Sequence, residues 1–86
     1  MNFEEVIKRF QNAILEENQK KIDILCNIYL ASSFQNISLQ NQYEAIEKLI
    51  NKVKNHSNLS KVSLNMVKIS ILGKMIGTDG SSQTSL

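Results

Sequence analysis

The feature that most constrains this chain is where its helix breakers fall. There is no proline, and the three glycines, Gly73, Gly77 and Gly80, all lie near the C-terminus. Proline and glycine are the residues that most strongly interrupt a helix, so nothing before Gly73 opposes long helical runs. With 86 residues and 42% apolar side chains, the chain is long enough for one domain with a thin core and too apolar for wholesale disorder. The expected class is all-α: a helical hairpin or three-helix bundle with a long N-terminal helix and a polar C-terminal tail. A single domain spans residues 1–77, and residues 78–86 form a flexible tail.

Asn2 can cap a first helix with Glu5 three residues on, and Phe3, Val6, Ile7, Phe10, Ala13 and Ile14 then recur at spacings of three and four. Glu4 with Lys8, Glu5 with Arg9, Glu16 with Lys20 and Glu17 with Lys21 are charge pairs in the favourable order, marking the wet side. At 100° per residue Ile24, Leu25, Ile28 and Ala31 return to the same stripe across a polar bridge. One long or kinked helix from Asn2 to Ala31 is therefore favoured over two helices broken near Asn18.

Residues 32–37 lose the period and read as a connector. Ser38 can cap a second helix with the stripe Leu39, Tyr43, Ile46, Leu49, Ile50 and Val53. Asn55-His56-Ser57-Asn58 ends it, and Ser57 or Ser60 can cap the next element.

The third element, residues 61–76, has two apolar faces when read as a helix. Leu64, Val67, Ile71 and Met75 form one, and Val62, Met66, Ile69, Leu72 and Ile76 form the other, with Ser63, Lys68, Ser70 and Lys74 along the seams. A helix apolar on both sides needs cover on both sides. Alternation of Val62, Leu64 and Met66 also permits a strand, but the run is much longer than an ordinary strand. Gly77 suits the position that ends a helix, ahead of the polar tail.

Little in the chain resembles catalytic chemistry. His56, the only histidine, sits in a polar turn without metal-ligand spacing and reads as an exposed turn residue. Cys26, the only cysteine, can form no internal disulfide and reads as a small buried hydrophobe. The paired glutamates have basic partners, and no glycine-rich phosphate loop precedes a helix. No cofactor, metal, small-molecule substrate or enzymatic activity is expected. No run reaches the ~20 apolar residues that cross a bilayer, and the first residues are not those of a secretory leader, so a cytoplasmic location is expected. Abundant Asn, Ile, Lys and Ser match AT-rich codons, as in a low-GC bacterium, phage or parasite.

The net charge is +2, with the basic excess in the second half. Lys52, Lys54, Lys61 and Lys68 could touch phosphates, and Lys48 and Lys74 extend the series, but it holds no arginine to read bases. Thr84-Ser85-Leu86 fits the pattern taken by domains that capture a carboxy-terminal peptide.

Ile71-Leu72-Gly73-Lys74-Met75-Ile76-Gly77, with the hydroxyl-rich end at Ser85-Leu86, resembles the C-terminal assembly helix of type III secretion inner-rod subunits. Phe10 followed by Ala13 is similar to their N-terminal segment. The resemblance covers a handful of positions, and Gly80 with its serines departs from a helix running to the last residue. It implies a small helical subunit that stacks its C-terminal helix on copies of itself. The expected function is a non-enzymatic interaction or assembly protein acting through Val62, Met66, Ile69, Leu72 and Ile76, on a protein partner or in a homo-oligomer. A small basic nucleic-acid-binding regulator and a self-assembling secretion subunit are the alternatives.

Overall fold

The computed structural model describes residues 1–84, with side chains through Gly77. Among the described residues are four helices and no strand: α1 (Phe3–Leu15), α2 (Gln19–Leu30), α3 (Leu39–Val53) and α4 (Val62–Thr84). The all-α class holds, and the strand alternative for residues 61–76 is replaced by helix. Going round the bundle, α1 packs on α2, α2 on α4, α4 on α3 and α3 on α1.

The long N-terminal helix is in fact two. Asn2 caps α1 as its sequence suggests, accepting from the Glu5 backbone N–H at 2.8 Å. The helix then closes on a Schellman turn: the Asn18 N–H donates to the Ala13 carbonyl at 2.9 Å and the Glu17 N–H to the Ile14 carbonyl at 3.0 Å. The residue in the left-handed conformation this turn requires is Glu17, at φ 54°, where glycine is usual. Asn18 at once caps α2 by accepting from the Lys21 N–H at 3.1 Å.

This break resets the helical phase. Ile22, Leu25, Cys26 and Tyr29 are the buried positions of α2, while Ile24 and Ala31, expected on the inner stripe, are exposed. The charge pairs change with it: Lys21 reaches Glu16 at 3.0 Å rather than Glu17, whereas Arg9 keeps its expected partner Glu5 at 3.2 Å.

At the other end of the bundle, Phe34 of the α2–α3 connector packs against Phe3 and Tyr29, with ring centroids 5.4 and 4.9 Å away. Gln42, at 5% exposure the one buried polar residue among those whose side chains are described, ties this corner together. Its Oε1 accepts from the Tyr29 hydroxyl at 2.6 Å, and its Nε2 donates to the carbonyls of Ile37 at 3.0 Å and Phe34 at 3.3 Å. A buried amide is tolerated when its partners are present, and among the described residues no buried side-chain polar atom lacks one.

α3 follows its sequence closely. Ser38 accepts from the Asn41 N–H at 3.1 Å, and Ile46, Leu49, Ile50 and Val53 are buried, with Leu39 and Tyr43 half-buried. α4 completes the core with Leu64, Val67 and Ile71, and Met75 packs at its edge. Fully burying side chains of this kind contributes ~1.5–3 kcal/mol each. Gly77 does not end the helix: no glycine among the described residues has positive φ, and α4 continues to Thr84. Ser85 and Leu86, and with them the carboxy-terminal motif, lie outside the described residues, as do the side chains of the expected tail.

Candidate protein-binding face

α4 meets the bundle with one side only. Two polar contacts along its seams fix its rotation about its own axis: the Ser63 hydroxyl donates to Asp23 of α2 at 2.6 Å, and Lys68 pairs with Glu47 of α3 at 3.3 Å. Asp23 is itself held by Gln19, whose Nε2 donates to it at 2.9 Å. With these two seams anchored on neighbouring helices, Leu64, Val67 and Ile71 must point inward and the opposite side must point away.

On that opposite side Val62 is 64% exposed, Met66 60%, Ile69 63% and Ile76 68%. The outer stripe thus stands where the sequence placed it, except that Leu72 turns toward a seam and is half-buried. Gly73 lies on the same side, and a Cβ added there would meet nothing within 4 Å. The face carries no ionisable side chain between Val62 and Gly77. Scattered apolar residues on a surface are ordinary, whereas these form a contiguous row along one helix.

The lysines form no comparable cluster. Lys52 and Lys54 belong to the C-terminal end of α3, where positive charge complements the helix dipole. Lys61 is exposed just ahead of α4, and Lys68 is already paired with Glu47.

His56 is not the solvent-facing turn residue its sequence suggests. It is half-buried, and its Nδ1 lies 2.9 Å from Glu17 Oε2, joining the α3–α4 connector to the α1–α2 turn. Asn58 donates to the other Glu17 oxygen at 3.2 Å, and the Ser60 N–H donates to Gln19 Oε1 at 2.7 Å. Hydrogen bonds from His56 and then Asn58 hold the Glu17 carboxyl below its ordinary value of 4.5. This clasp is structural: its members are far apart in sequence, and no motif could have announced it.

Burial, and secondarily Asp23, pushes the Cys26 thiol up to about 12, which leaves it protonated and unreactive near neutrality. Burial also raises the Tyr29 hydroxyl. Among the described residues no group of His, Cys, Asp and Glu is placed to hold a metal ion. A groove of ≈ 450 Å³ between α1 and α2 is lined by Met1, Ala13, Ile24, Leu25 and Ile28, with Arg9, Glu16 and Lys21 at its rim. Its charged residues are engaged with Glu5 and with one another, and it brings no nucleophile or acid–base pair together.

No helix among the described residues is long and apolar enough to cross a membrane. Comparison with protein-family models, with curated proteins and with solved structures finds no match. Packing and exposure therefore carry the functional reading.

Proposed function

We propose that this is a non-enzymatic protein–protein assembly protein whose working surface is the outer face of α4. The observation that carries the reading is the contrast within one helix: Leu64, Val67 and Ile71 are fully buried, while Val62, Met66, Ile69 and Ile76 each leave about three-fifths of their surface in water. Exposing such side chains forgoes the gain from burying them, and a partner surface recovers it. The absence of charge along the row favours a protein surface over a phosphate backbone, which would be met by unpaired basic side chains. A nucleic-acid-binding role is the weaker reading, because Lys68 is occupied and Lys52 and Lys54 answer a helix terminus.

The test is the double variant Met66→Asp, Ile69→Asp. Both side chains are exposed, so helicity and thermal midpoint should stay close to those of the parent, while association, read as mass by light scattering or as retention of a bound protein, should be lost. A parent chain that neither self-associates nor retains any protein released by the double variant would overturn the proposal.

A further inference from the structure

The outer face has a spacing that identifies what fits it. Val62, Met66, Ile69, Gly73 and Ile76 succeed one another at intervals of four, three, four and three, the alternation that lets one helix seat its side chains between those of another along a straight seam. In that row Gly73 is a gap, with open space where a side chain would stand. We infer that the occupant is a second copy of this chain, its α4 laid antiparallel on the first about a two-fold axis at the level of Ile71. The inference rests on the reading of α4 as the working surface.

Antiparallel helices in this register set Ile69 of each copy opposite Gly73 of the other, and Met66 opposite Ile76. Each gap then receives a large side chain, and the seam is filled twice by one symmetric operation. A parallel pair would instead face Gly73 with Gly73 and leave a void. The flanking positions agree: Asn65, Ser70 and Leu72, which border the row, are uncharged, so two copies can approach without repulsion. The exposed row amounts to a few hundred Å² on each copy. Pairing would hide on the order of 1,000 Å² in all, at the lower limit for a specific interface, which fits a reversible dimer.

Exchanging the gap and the knob tests the register. Gly73→Ile alone places isoleucine against isoleucine, and the dimer should weaken by about 10- to 100-fold. The double exchange Ile69→Gly, Gly73→Ile restores each layer with its sides reversed, and dimerisation measured by sedimentation equilibrium should return to within about threefold of the parent. Folding is not at risk in the single variant, because a Cβ at this exposed position meets nothing within 4 Å and glycine is the poorer helix former. Circular dichroism checks the double variant. A tighter dimer from Gly73→Ile would indicate the parallel arrangement and overturn the antiparallel one, as would a double exchange that stays as weak as the single variant. A parent that remains a single chain up to about 500 μM would remove the second copy as occupant. The outer face would then still stand as the site for a different protein, to be judged by the aspartate variants.

Discussion

Two polar side chains do more for this fold than their type suggests. Gln42 satisfies a hydroxyl and two carbonyls in a corner where water has little access. Gln42→Leu, which matches its size and removes its hydrogen bonding, should cost about 1–3 kcal/mol in denaturant unfolding. Glu17 acts at the surface and is sensitive to pH. Because its folded pKa is depressed, its contribution is present above the ordinary carboxyl value of 4.5 and is lost as pH falls through the lower folded value. The thermal midpoint of Glu17→Gln should therefore lie below that of the parent at pH 7, and the two should converge in acid. A gap that stays constant down to the acid limit would show that the carboxylate's charge is immaterial. Neither role was legible in the sequence. Gln42 occupies a polar position within an apolar stripe, and Glu17 contacts a connector that lies almost half the chain away.

At the scale of the element, legibility depends on whether the signal is local. α3 is read from its cap, its stripe and its terminator, all within one run of residues. The division between α1 and α2 near Asn18 ranks second in the sequence because the usual marker, a glycine in the left-handed position, is replaced by Glu17, and because Ile24 and Ala31 continue the α1 stripe on paper although the structure leaves them exposed. The two-sidedness of α4 was legible for the opposite reason: no single neighbour can cover apolar residues on both sides of a helix, whatever the tertiary arrangement. The two sides should therefore answer differently to truncation. Leu64→Ala should destabilise the fold by about 2–5 kcal/mol. Ile69→Ala should change the unfolding free energy of the protomer by no more than about 0.5 kcal/mol. Equal losses in the two variants, measured in urea at a concentration where the protein is monomeric, would contradict the division of the helix into an inner and an outer side.

For the molecule as a whole, the all-α class could be inferred from the absence of breakers, but the number of helices and the order in which they neighbour one another depend on long-range contacts. One such contact region surrounds Cys26, which lies 2% exposed inside the bundle. With its thiol held protonated, it can be modified only when the helices part, which makes it a reporter of opening. Labelling by iodoacetamide at pH 8 should be at least about a hundredfold slower in the native protein than in denaturant. Prompt labelling of the native chain would mean that the core around α2 opens easily.

The two ends of the bundle are fastened by different means. One is closed by an ionisable carboxylate and its neighbours at the surface, the other by three aromatic rings packed edge to face or tilted beside a neutral amide. Acidification through the lowered Glu17 value should therefore unlatch the molecule from one tip, reducing amide protection around residues 16–18 and 56–60 while the ring-lined tip keeps its protection. Such lopsided fraying would give the protein a soft pole and a hard one.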